Sequence, residues 1–81
     1  MSPSNKISLA QLPANAFATI LSLASGRLET IRLVSLGLTP GARVAMAQNY
    51  GRGPLIVMVR GTRIALGRGE AARIFVQPSL Q

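Results

Sequence analysis

Arg60, Arg63, Arg68 and Arg73 follow one another closely in the second half of the sequence and are its densest collection of functional groups. A guanidinium is a permanent cation with a fork of N–H donors; it binds carboxylates and phosphates but exchanges no proton near neutral pH. The only acids are Glu29 and Glu70, and His, Cys and Asp are absent. Acid–base or nucleophilic work would fall to these two glutamates, Tyr50, Lys6 and the hydroxyls, none with an activating neighbour in sequence, so catalysis is not expected. Transition metals draw on His, Cys and clustered carboxylates; two glutamates far apart are a poor set, and neither a metal site nor a cofactor is expected. Gly51-x-Gly53 before Pro54 is followed by no helix start that would offer amides to a phosphate, so it reads as a loop between strands.

What remains is binding. Nine cations, eight of them Arg, against two acids give a formal charge of +7, which favours acidic protein surfaces, phosphates or anionic lipid head groups. With no Trp, one Tyr and two Phe, the chain lacks the aromatic walls that grip proline-rich peptides and the platforms on which bases stack. Nucleic-acid binding is therefore the lesser expectation. With no Cys there is no disulfide framework. The run Ala16–Ala24 is half the ~20 residues a membrane helix requires, so neither a signal peptide nor a membrane span is expected.

The elements that must position the arginines are short. A chain of 81 residues makes one domain with a modest core, here divided into a lead over 1–6, a domain over 7–77 and a tail over 78–81. Phe17–Leu23 alternates and suits a first strand. From Arg27 to Leu36, Leu28, Ile31 and Val34 recur at spacing three, Leu33 and Leu36 widen the apolar arc, and no Pro or Gly interrupts, which predicts a short helix. Gly26 suits its N-cap, and Glu29 complements the first-turn dipole and pairs with Arg32 or Arg27.

The helix ends in a legible stop: Gly37 accepts a left-handed conformation, Leu38 packs back on Leu33, and Thr39 before Pro40 cannot continue the helix. Pro40-Gly41 then turns the chain. Arg43–Asn49 is a second strand. Leu55–Arg60 and Arg63–Leu66 make a hairpin joined at Gly61-Thr62, Glu70–Ala72 one helical turn, and Arg73–Gln77 a last strand. The expectation is a mainly β fold of about five strands, closed into a small barrel to protect its edges, with one short α-helix between the first and second strands.

Ser8-Leu9-x-x-Leu12-Pro13, Ala18-Thr19-Ile20, Arg32-Leu33-x-x-Leu36-Gly37-Leu38-x-Pro40-Gly41, Gly53-Pro54-Leu55, Val59-Arg60-Gly61 and Ala65-Leu66-x-x-x-x-Ala71-x-x-Ile74-x-Val76 together resemble the FeoA family of ferrous iron transport accessory proteins. The resemblance runs from about Ile7 to Val76. The same fold family includes the SH3-like C-terminal domain of DtxR-type repressors. Where many members place Arg directly after the Ala-Leu pair this chain has Gly67 and then Arg68, and Asn15 stands where a turn glycine is common.

The resemblance implies a cytoplasmic SH3-like barrel that regulates ferrous iron uptake by binding FeoB, the membrane transporter with a cytosolic GTP-binding domain. That places the chain at the inner membrane face. It also brings transition metal ion binding as a family-level property, for which these residues offer no donor set. Candidate contact residues are Arg32, Leu33, Leu36, Leu38, Arg60, Arg63 and Arg68, with Gly37, Pro40, Gly41, Pro54 and Gly61 as structural positions. Leu33, Leu36 and Leu38, with Met46, read first as core and only in part as a groove. The alternative is a small basic barrel acting on nucleic acid or as a detached repressor-type module.

Overall fold

A computed structural model describes residues 6–79, in which eight elements and one 3₁₀ turn are strung on a single sheet. β1 (Ile7–Ser8) runs into a 3₁₀ turn at Leu9–Gln11, followed by β2 (Phe17–Leu23), α1 (Arg27–Ser35), β3 (Arg43–Gln48), β4 (Leu55–Val59), β5 (Thr62–Leu66), α2 (Arg68–Ala71) and β6 (Ile74–Ser79). All pairings are antiparallel, in the order β1-β6-β2-β3-β4-β5.

Alternation sets the core. Val44 and Met46 on β3, Leu55, Val57 and Val59 on β4, Ile64 and Leu66 on β5, and Ile74 and Val76 on β6 point inward, joined by Leu9, Leu12, Ala18, Ile20, Leu33, Leu38 and Ala71. No aromatic residue takes part, in keeping with the aliphatic composition.

The sheet departs from the expected five-stranded barrel in two respects. A sixth strand, β1, precedes the rest, so the helix lies between the second and third strands. The sheet also stays open, with β1 and β5 as its edges. β1 contributes only Ile7 and Ser8, both spent on β6, before the chain turns into the 3₁₀ segment, where the Gln11 amide oxygen accepts the Ser8 N–H at 3.0 Å. No strand is left to reach β5. Both edges are short, and β5 carries Arg63, which discourages pairing with other sheets.

The ends of the domain are tighter than the sequence suggests. Lys6, read as part of the lead, holds its ammonium 4.9 Å from the centre of the Phe75 ring. β6 continues through Pro78 to Ser79, two residues past Gln77 and into the stretch read as a tail. Pro78, which lacks an N–H, lies opposite Ala18 of β2 and beyond the last residue of β6 that pairs with β1 among the described residues. Residues 1–5, 80 and 81 of the expected lead and tail lie outside the described residues.

Two expected turns take the geometry their residues dictate. Leu38 N–H donates to Leu33 O at 3.0 Å and Gly37 N–H to Val34 O at 2.9 Å, with Gly37 at φ +97°, which is a Schellman stop. Ala42 N–H donates to Thr39 O at 2.9 Å across Pro40 and Gly41, the latter at φ +91° as a type II turn requires. Asn15, at φ +71°, supplies left-handed backbone and donates its N–H to Met46 O at 2.7 Å.

Candidate docking surface

α1 packs on the sheet by a different face from the one its spacing suggests. Leu33 is its only buried residue, whereas Leu28, Ile31 and Val34 are 81%, 57% and 43% exposed. At about 100° per residue the helix has three sides. Leu33 and Thr30 face the domain, Glu29 and Arg32 face Arg73 and α2 respectively, and Arg27, Leu28, Ile31 and Val34 share an outward arc of about 120°.

Leu33 and Leu38, proposed as contact residues, are completely buried and belong to the core. Leu36, at the C-cap, remains 38% exposed.

The chain's two acids are both committed to orienting this helix. Glu29 receives a forked pair from Arg73: Nε and Nη2 donate to Oε1 at 3.1 and 3.0 Å, and Nη2 also to Oε2 at 3.0 Å. Glu70 accepts the Gly67 N–H at 3.1 Å through Oε1, capping α2, while its Oε2 pairs with Arg32. Glu29 thus pairs with neither Arg32 nor Arg27: the fold brings Arg73 beside it, and Arg32 turns to Glu70. Each pair is part-exposed and adds little stability alone, but together they fix the angle of a helix anchored by one buried side chain.

Arg32 is therefore occupied within the domain, and so is Arg68. Arg68 Nη1 donates to Ala10 O at 3.2 Å, Nη2 to Asn49 Oδ1 at 2.7 Å and Nε to Gly53 O at 3.2 Å. This residue joins α2, the 3₁₀ turn and the 49–53 loop. Its partner Asn49, which the sequence reading passed over, donates to Ala10 O at 3.1 Å and Leu12 O at 2.9 Å and accepts the Gly51 N–H at 2.9 Å. An asparagine beside a Gly-rich loop is the signal that would have found it.

Exposed Val34, Leu36, Arg60 and Thr62 meet at the end of α1, above the buried Val59 and Ile64. Val34, Leu36, Gly37, Val59, Arg60, Thr62 and Ile64 line a groove of about 390 Å³ between the helix stop and the β4–β5 hairpin. A second groove of about 530 Å³, formed by Thr39–Arg43 with Val59, shares Arg60 and brings in Arg43. Arg63 is exposed on edge strand β5. Of the expected contact residues, then, the structure brings Leu36 and Arg60 together at one groove, with Arg63 on the neighbouring strand.

Arg60 also bends the hairpin. Val59 pairs with Thr62, so the loop is Arg60-Gly61 rather than Gly61-Thr62, with φ +54° and +77°, the signature of a type I′ turn. Asn or Gly is the usual occupant of its first position, and a long side chain there is held in a sparsely populated conformation. Arg60→Asn is expected to stabilise the domain by about 0.5–1 kcal/mol, a rise of roughly 2–8 °C in Tm. Differential scanning calorimetry measures this directly, and a lower Tm would show that Arg60 contributes contacts worth more than its strain.

The groove thus has an apolar floor and an arginine rim, with no acid among its lining residues. Comparison with known proteins identifies the lineage that uses this scaffold: the FeoA domain model matches residues 7–78. The chain belongs to the FeoA family.

A curated relative named Fe(2+) transport protein A, from Methanocaldococcus jannaschii, is 41% identical over 46 residues, 57% of this chain and 55% of that protein. The matched stretch thus spans about half of that relative. The crystal structure of an iron uptake regulatory protein, FeoA, superposes with TM-score 0.86 at 31% identity, covering 91% of this chain and 99% of the other. The zinc-complexed FeoA of Stenotrophomonas maltophilia, described as a prokaryotic SH3 domain protein, gives TM-score 0.78 at 33% identity over 86% and 88% of the two chains.

The fold also occurs in a manganese-dependent transcriptional repressor, with TM-score 0.85 at 15% identity, over 98% of this chain and 45% of the repressor. In this FeoA-family chain both glutamates are held by arginines, and among the described residues no group of three His, Cys, Asp or Glu side chains gathers to hold a metal. None of the described helices is long and apolar enough to cross a membrane.

Proposed function

We propose that this chain is a non-catalytic accessory module of ferrous iron uptake that docks on the cytosolic region of the transporter FeoB and works on the cytoplasmic side of the membrane. Family membership supports the role in iron transport. The observation that carries the docking reading is Arg60, held left-handed at the rim of an apolar groove that Leu36 and Val34 complete. Strained residues persist where function requires them. An apolar floor with a cationic rim selects a partner segment that offers an apolar anchor beside a carboxylate.

The test is a binding titration of the purified chain against the cytosolic region of FeoB, with and without guanine nucleotide. Saturable binding is expected, weakened at least about tenfold by Leu36→Ser combined with Arg60→Glu while circular dichroism stays native. A chain that binds no FeoB in either nucleotide state, or a double variant that binds like the parent, contradicts the proposal. In cells, loss of the protein is expected to lower ferrous iron uptake.

A second reading has one observation in its favour, the shared fold of the manganese-dependent repressor. It predicts a detached regulatory module that touches nucleic acid. α1 and α2 are separated by three strands, so no helix-turn-helix reader is formed among the described residues. Fluorescence anisotropy with duplex DNA separates the readings, because affinity that rests on phosphate contacts alone falls steeply as salt rises.

A further inference from the structure

We infer that the outward face of α1 is a contact surface for anionic lipid bilayers, centred on Leu28 and Ile31 and adjoining the groove that receives the protein partner, with which it shares Val34 and Arg60. Leu28, Ile31 and Val34 are three large apolar side chains on two turns of helix, left 81%, 57% and 43% exposed by the described residues. Arg27 lies on the same arc of the helix. Arg60 stands at its C-terminal end, where it lines a groove with Val34, and Arg43 lies just beyond across the second groove.

No side-chain carboxylate interrupts this surface. Glu29 lies on the opposite flank of the helix and Glu70 on α2 beside that flank, each paired with an arginine. The positive charge of the chain is thereby left without local opposition on one side, and that side is also the apolar one.

Shape and charge together favour lipid over the other occupants. The arc is convex, with Leu28 standing out furthest, so a protein partner would have to present a matching hollow, whereas a bilayer interface yields to the protruding side chains. A second copy of this chain would offer no side-chain carboxylate to Arg27, since both glutamates lie off this face and are paired with other arginines. Apolar side chains that enter the acyl boundary beside arginines that reach phosphates form the two signals a peripheral surface needs, since either alone gives weak attachment. The arginine stems are long enough to keep their charges at head-group level while the leucine and isoleucine sink below them.

The chain has no Trp, so Ile31→Trp creates a single reporter at the centre of the face. With vesicles of phosphatidylcholine and phosphatidylglycerol in equal parts, its emission is expected to shift to shorter wavelength and the protein to co-sediment. Phosphatidylcholine vesicles alone should do neither. Leu28→Ser with Ile31→Ser, both at exposed positions that leave the core intact, is expected to reduce co-sedimentation about tenfold, and raising salt from about 0.05 to about 0.5 M should reduce it further.

Three results would overturn the inference. One is an unshifted Trp spectrum with anionic vesicles. Another is a double serine variant that sediments like the parent, which means adsorption by charge alone. The third is a double variant that loses its affinity for the FeoB cytosolic region, or a concentration-dependent dimer, while lipid binding is unchanged; the face would then belong to a protein. Binding to FeoB is measured separately, so failure here leaves the docking groove standing.

Discussion

Replacing Leu33 with Ala is expected to cost about 3 kcal/mol, whereas Leu28→Ala, five residues earlier on the same helix, should change stability by less than about 0.5 kcal/mol. Leu33 is fully buried among the residues that join the helix to the sheet, and its carbonyl accepts the Leu38 N–H of the helix stop. Truncating it opens a cavity at the single apolar point that anchors α1, and the ion pairs at Glu29 and Arg32 cannot substitute because part-exposed pairs are weak.

Leu28 makes no such contribution, since it is 81% exposed. In urea denaturation the Leu33 variant should unfold at a clearly lower midpoint with an unchanged slope, and in thermal melts it should lose roughly 12–24 °C in Tm. Equal losses at the two positions would mean that α1 lies on the sheet by its Leu28-Ile31-Val34 face. For a domain of this size such a loss is a large share of total stability.

The misleading signal in that helix is instructive. Leu28, Ile31 and Val34 recur at spacing three and imitate a core stripe. The correct face was nonetheless written four residues later, in the Gly37 stop, which turns Leu38 back onto Leu33. Once Leu33 points inward, a rise of about 100° per residue rotates Leu28 and Ile31 roughly 140–160° away from the core. A capping motif is local and directional, and it carries more information about orientation than a count of apolar residues.

Turns were legible for the same reason. Gly37, Gly41 and Asn15 each occupy left-handed backbone that these residue types permit, whereas the hairpin turn falls one residue earlier than expected, on Arg60-Gly61. The long-range ion pairs were not: Glu29 has Arg32 at helix spacing, yet its partner Arg73 lies 44 residues away and is delivered only by the α2–β6 connection. The open sheet was equally hidden, because two residues of β1 are too few to show alternation.

Of the basic cluster, the sequence could place Arg60 and Arg63 on a hairpin. It could not tell these arginines, which face solvent, from Arg68, which serves the fold.

Arg68→Ala should cost about 2 kcal/mol, although the residue is neither apolar nor fully buried. Its guanidinium spans three acceptors from two other segments, Ala10 O, Asn49 Oδ1 and Gly53 O. Hydrogen bonds from a charged donor contribute about 1.5–3 kcal/mol each when buried, and less where water replaces the donor, as at exposed Gly53.

Arg68→Lys is expected to recover less than half of the loss, because an ammonium is a point donor and cannot reach acceptors placed in three directions. Asn49→Ala should be similarly costly, as it strips Leu12 O of its side-chain partner and Arg68 of its shortest bond. Since the two side chains are directly bonded, the double variant should lose less than the sum of the single losses by about 1 kcal/mol. Thermal melts of the four proteins measure that coupling. Strict additivity would show that the two residues act independently, while unchanged melting of Arg68→Ala would return this arginine to the set available for a partner. Its affinity for FeoB, measured below the melting range, should match the parent, because the guanidinium is turned inward and none of its bonds faces the groove at Arg60.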